Sequence, residues 1–150
     1  MSKIYVASSW RNDLQPAVVQ LARSIGHEVY DFKNPPDRAG FGWEEINKDW
    51  QSWTTQQYID ALKHPLAIEG FRSDKNGMDW ADIGILVLPC GRSAHTEAGW
   101  MQGIDIPVYV FTPGKHEPEL MYKIFAGIIA TWDDLRLMLL SYKVSDNRLI

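Results

Sequence analysis

Between Asp82 and Pro89 the chain reads Ile83-Gly-Ile-Leu-Val-Leu88, an unbroken run without a polar side chain. A strand with one face in water alternates apolar and polar residues, so a run of this kind is a strand buried on both faces. Such strands belong to parallel sheets, whose neighbours are joined by helices packed on the two faces. The rest of the chain meets that demand. Ile4 to Ala7 and Pro107 to Phe111 read as further short strands, Glu28 to Phe32 as an alternating one, and Gly127 to Ala130 as a short fifth. Helical patterns lie between them. The first runs from Leu14 to Ile25, with Val18, Leu21 and Ile25 on one face and Gly26 as its stop. Others run from Thr54 or Thr55 to Leu62, over about Leu66–Trp80, from near Ser93 to Gly103, over Glu119–Phe125, and from Trp132 to Tyr142 behind a cap near Thr131. The alternation predicts an α/β fold: a flavodoxin-like, Rossmann-like three-layer sandwich with a five-stranded parallel sheet in the order 2-1-3-4-5. At 150 residues, 45% of them hydrophobic, residues 1–150 are expected to form one domain.

In that order the first and third strands are neighbours whose helices leave to opposite faces, and ligands bind in the crevice at their carboxyl ends. Ser8-Ser9-Trp10-Arg11-Asn12 follows the first strand. Pro89-Cys-Gly-Arg-Ser-Ala-His-Thr-Glu97 follows the third. Core packing has no use for so many polar groups, so both loops are expected to line a site.

Composition narrows what that site can serve. A net charge of −4 argues against nonspecific binding to a nucleic acid polymer or an anionic membrane, while local arginines can still serve a small anionic molecule, so a small molecule is the expected partner. The opening "MSKIYVASSW" lacks the apolar stretch of a signal peptide, and no segment approaches membrane-spanning length. The lone Cys90 excludes an internal disulfide, and the expected location is cytoplasmic. One cysteine and four scattered histidines make no zinc cluster, so no metal is expected. The stretch from Lys33 to Trp43, with Pro-Pro and two glycines, is expected to be irregular. Trp43, Trp50 and Trp53, in the Trp-rich segment 43–53, read either as cover for a small core or as a stacking wall for a flat ring.

Among the polar residues, carboxylates suggest chemistry. With Ser93 as helix cap, Glu97 falls in the first turn, near exposed N–H groups and the positive end of the helix dipole, which favours its ionised form. Upstream, "RSDKNGMDWAD" supplies Asp74, with Asp79 and Asp82 as competitors; Asp82, directly before the strand, reads as structural. A nucleophilic carboxylate paired with an acid/base carboxylate is equipment for cleaving a bond at a sugar anomeric carbon with retention. Cys90 with His95 offers a thiolate and base as a weaker alternative.

Three spaced motifs then carry a resemblance. "IYVASSW", "DKNGMDWAD" and "AHTEAGWMQGIDIPVYVF", spanning about residues 3 to 112, are similar to those of the nucleoside 2-deoxyribosyltransferase family and its 2'-deoxynucleoside 5'-phosphate N-hydrolase relatives. The resemblance implies that Glu97 is the nucleophile attacking the anomeric carbon, that Asp74 helps protonate the departing base, and that Tyr5 holds a hydroxyl near the nucleophile. It implies that Ser9 and Arg11, with Trp10 between them, bind substrate, as residues at the first two positions contact a 5'-phosphate in the N-hydrolase branch. The chain departs from the pattern at Gly91, where relatives carry a Ser or Asp touching sugar or phosphate; Arg92 and Ser93 are the nearest substitutes for substrate binding. Tyr142 is the candidate for a C-terminal tyrosine that recognises the base in some transferases. No cofactor is implied, since the carboxylates carry the reaction, and a homo-oligomer is. The expected activity is cleavage or transfer of the N-glycosidic bond of a nucleoside or its 5'-monophosphate. The rival is a non-catalytic nucleotide-binding or sensing module using the same crevice, and a third reading is a glycosidase for another ribosyl substrate.

Overall fold

Five short strands, β1 (Lys3–Ala7), β2 (Glu28–Asp31), β3 (Ile83–Val87), β4 (Val108–Phe111) and β5 (Gly127–Ile129), form one sheet in this computed structural model, which describes residues 1–146. All pairings are parallel and the order is β2-β1-β3-β4-β5, as the hydrophobic runs predict. The helices are α1 (Gln15–Ile25), α2 (Thr55–Ala61), α3 (Pro65–Trp80), α4 (Arg92–Gly103) and α5 (Trp132–Asp146). Short 3-10 turns occupy Trp43–Glu45, Trp50–Ser52 and Leu120–Ile124.

Two compact units divide the chain: Met1–Asp31 with everything from Trp80 onward, and Phe32–Asp79. The first holds the sheet. Ile4 and Val6, Ile83, Ile85 and Val87, and Phe111 point to one face and pack with Val18 and Ala22 of α1 and Leu135 and Leu139 of α5. Alternation sends Tyr5, Gly84 and Leu86 to the other face, where Ala94, Ala98 and Met101 form the buried stripe of α4. Here Gly84 gives room to its neighbours: a Cβ would sit 2.8 Å from the Met101 methyl and 3.1 Å from a Val108 methyl, so these side chains would have to shift. Met101 is therefore core. Gly26 ends α1 at φ 106°, a left-handed conformation that glycine adopts without strain.

In the second unit Thr54 caps α2 reciprocally with Gln57: the Thr54 hydroxyl accepts from the Gln57 N–H, and the Gln57 side chain accepts from the Thr54 N–H. Residues 37–41 cross α3. Ser73 Oγ donates to Asp37 Oδ1 at 3.3 Å, and Gly70 leaves room for Phe41, whose Cβ would lie 2.9 Å from an added one. Trp43 meets Phe41, Trp53 and Tyr58 edge to face, with centroids 5.0, 5.8 and 6.0 Å apart. That geometry suits the ring quadrupoles and packs Trp43 and Trp53 within their own unit.

Candidate active site

The loops that leave β1 and β3 are tied together by buried hydrogen bonds. Ser8 Oγ donates to the Val87 carbonyl at 2.8 Å. Asn12 Nδ2 donates to the carbonyls of Val87 and Pro89 at 3.3 and 3.0 Å, while Asn12 Oδ1 accepts the N–H groups of Leu14 and Gln15. One buried asparagine thus caps the start of α1 and fastens it to the end of β3. Between Ser8 and Asn12, Ser9, Trp10 and Arg11 form a tight turn, closed by Asn12 N–H to the Ser9 carbonyl at 3.0 Å and Arg11 N–H to Ser9 Oγ at 3.3 Å. Trp10 and Arg11 are exposed and Ser9 is half-buried.

Glu97 lies against β1. The Tyr5 hydroxyl donates to Glu97 Oε2 at 3.0 Å. Tyr5 is fully buried, so its hydroxyl needs a partner, and the carboxylate supplies one. Its ring stacks on Tyr30 of β2, with centroids 5.2 Å apart and planes 6° from parallel, which fixes the direction of the hydroxyl. Glu97 is half-buried.

The start of α4 corrects one expectation. Gly91, not Ser93, is the N-cap, in an extended conformation and without a side-chain cap. Ser93 is therefore inside the helix and Glu97 in its second turn, beyond the reach of the dipole end, whose influence fades within the first turn. Tyr5, rather than the helix terminus, is what orients the carboxylate. Gly91, Arg92 and Ser93 are exposed, and a side chain on Gly91 would meet nothing within 4 Å.

Cys90 and His95 do not form a thiolate pair. His95 Nδ1 lies 2.8 Å from the Gly91 carbonyl and 3.6 Å from Cys90 Sγ. A carbonyl only accepts, so Nδ1 carries the proton and cannot take one from the thiol; Nε2 is then the acceptor for the Tyr122 hydroxyl at 2.8 Å. Burial, and secondarily the nearby Glu97 charge, push the Cys90 thiol up to about 12.

The acidic residues upstream separate clearly. Asp82 Oδ2 accepts the Lys3 N–H at 2.9 Å at the amino end of the sheet, opposite the crevice, which bears out its structural reading. Asp79 is exposed and ion-paired with Lys75 at 2.7 Å, one turn before it on α3. Asp74 sits half-buried on α3 of the second unit, beside the buried Ser73 and one turn from the buried Gly77 and Met78. Tyr142 is bound elsewhere: its hydroxyl meets that of Tyr109 at 2.9 Å among the side chains of the α1–α5 face, across the sheet from Glu97. Burial raises its phenol well above the ordinary range, with the Tyr109 hydrogen bond adding to the effect. It is not placed to serve Glu97.

Sequence reasoning gave no role of their own to three residues of this region. Asn12 shows no motif, because its partners lie far along the chain. Tyr122 stood only inside an expected short helix. Gln15 Nε2 donates to Asp31 Oδ1 at 2.8 Å, a buried pair at the end of β2 that no spacing announces. Among the described residues no three His, Cys, Asp or Glu side chains gather as a metal site, and no helix is long and apolar enough to cross a membrane.

No family model matches the chain, and no curated protein matches it in sequence. Among solved structures it resembles a 2-deoxyribosyltransferase from the psychrotolerant bacterium Bacillus psychrosaccharolyticus, described as a biocatalyst for synthesis of antiviral and antitumoral nucleosides. The TM-score is 0.61 at 22% identity, over 92% of this chain and 96% of the other. The likeness is one of architecture, and over nearly its whole length this chain shares the fold of that 2-deoxyribosyltransferase.

Proposed function

We propose that this protein cleaves or transfers the N-glycosidic bond of a nucleoside or nucleoside 5'-monophosphate, with Glu97 as nucleophile. The observation that carries the reading is the hydrogen bond from buried Tyr5 to Glu97 Oε2. It holds a carboxylate in a fixed orientation beside the crevice at the carboxyl ends of β1 and β3, where this class of sheet binds ligands. The fold shared with a 2-deoxyribosyltransferase supports the same reading.

In this mechanism Glu97 attacks C1' of the sugar as the bond from C1' to the base nitrogen breaks. The bonding pair leaves with the base, which gains a proton from Asp74. Asp74 takes this task because the resemblance of "DKNGMDWAD" to the family's motif implies it. Water or a second base, losing a proton to Asp74, then attacks C1' from the face the first base left, releasing Glu97 with net retention. Tyr5 stabilises the carboxylate before attack and again when it is expelled. The side chains of Ser9, Trp10 and Arg11 and the open start of α4 at Gly91, Arg92 and Ser93 bind the rest of the substrate.

The test is to incubate the protein with a panel of nucleosides and 5'-monophosphates, with and without an acceptor base, and to detect free base by chromatography. Base release from at least one of them is expected. Binding of nucleotides without release from any would favour the non-catalytic module instead.

A further inference from the structure

Successive residues of an α-helix are turned by about 100° around its axis. With Ala94, Ala98 and Met101 facing the sheet, Glu97 and His95 leave the buried stripe on opposite sides. Glu97 reaches β1 through Tyr5, and His95 reaches Tyr122, which lies in the segment following β4. Since β1 and β4 flank β3 on either side, the two hydrogen bonds grip the first two turns of α4 from both flanks.

The grip on the second flank is doubly built. Each ring nitrogen of His95 is engaged, Nδ1 with the Gly91 carbonyl and Nε2 with the Tyr122 hydroxyl, both at 2.8 Å. The Tyr122 and His95 rings also stack, with centroids 5.8 Å apart and planes 18° from parallel, and Phe125 packs behind Tyr122 at 6.0 Å. A rotation of α4 about its axis that released one flank would strain the other. The proposed chemistry gives His95 and Tyr122 no task of their own.

We infer that His95 and Tyr122 are positioning residues: they fix the roll of α4 and thereby keep the Glu97 carboxylate on the Tyr5 hydroxyl. The catalytic consequence rests on the reading of Glu97 as nucleophile; the positional one does not. The experiment therefore has two arms. In the first, glutamate is labelled with 13C at the side-chain carboxyl, and the Glu97 resonance is identified by its loss in Glu97→Gln. Its position at neutral pH is compared between wild type, Tyr5→Phe, Tyr122→Phe, His95→Ala and His95→Gln. Tyr122→Phe and His95→Ala are expected to displace the resonance in the same direction as Tyr5→Phe. His95→Gln, whose amide oxygen can still accept from Tyr122, should leave it near the wild-type position. A wild-type resonance in both Tyr122→Phe and His95→Ala overturns the inference. In the second arm, on any substrate the wild type turns over, Tyr122→Phe should lower kcat about three- to tenfold with KM unchanged, the effect of one hydrogen bond. An unchanged kcat overturns the catalytic consequence. If the wild type turns over none, the functional reading falls and the first arm still decides the positional one.

Discussion

The thiol of Cys90 lies close to the expected nucleophile, yet its surroundings keep it protonated. Raised from 9.0 to about 12 by burial and by Glu97, it is almost entirely un-ionised at pH 8. Alkylation by iodoacetamide at that pH should be far slower in the native protein than in urea, and Cys90→Ser should retain turnover; rapid native labelling would contradict this environment. The linkage has a definite sign. The unfolded thiol ionises first as pH rises, so its contribution to stability is present below about pH 9 and is lost towards pH 12. Urea melts of Cys90→Ala should show a shallower alkaline decline than wild type. Arg11 carries a different prediction. If it grips a 5'-phosphate, a contact worth roughly 1.5–3 kcal/mol makes monophosphates about ten- to hundredfold better substrates than nucleosides. Gly91, which brings no hydroxyl, argues for the low end. Arg11→Ala should erase most of that preference and leave nucleoside rates nearly unchanged, whereas faster turnover of nucleosides by the wild type would deny Arg11 this role. At this scale the meeting of Tyr5 with Glu97 was legible through the motifs that carry the family resemblance. Asn12 was not, because what makes it important is a pair of carbonyls 75 and 77 positions away.

Elements met their expected places more closely than their expected ends. Ser93 is a good capping residue, but the chain is already helical there; Gly91 takes the cap, and Glu97 moves to the second turn. Cap preferences differ by about 1 kcal/mol or less between neighbours, so sequence fixes such a boundary only to within a turn. Thr54, one of the two adjacent threonines that the sequence offered, and Thr131 are caps, each with a side-chain bond to a first-turn N–H. The junction of β1, α1 and β3 depends instead on Asn12. Asn12→Ala removes two donated and two accepted hydrogen bonds in a buried setting and should destabilise the protein by roughly 2–4 kcal/mol. Asn12→Asp keeps the acceptors but turns a carboxylate toward two carbonyls, and should be no better. Urea denaturation checks both, and a loss below about 1 kcal/mol would show that the junction does not rely on this side chain.

For the molecule as a whole, the sheet was readable because its apolar runs have one physical solution: parallel strands covered on both faces. The order β2-β1-β3-β4-β5 follows from connection rules that this chain obeys. The Phe32–Asp79 unit was less readable before α2. Its 3-10 turns and edge-to-face rings have neither a helical nor a strand period, so pattern alone leaves the segment as loop. The arrangement of the larger unit still concentrates its unusual polar groups at one end of the sheet, and the functional reading depends on one carboxylate there. The most direct test is to quench a reaction with a substrate the wild type turns over, digest the protein and map any glycosyl adduct by mass spectrometry. The adduct should lie on the peptide containing Glu97, and Glu97→Ala should lose both adduct and turnover while keeping its circular dichroism spectrum. Turnover within a few-fold of wild type in Glu97→Ala, or an adduct on another residue, would contradict the account.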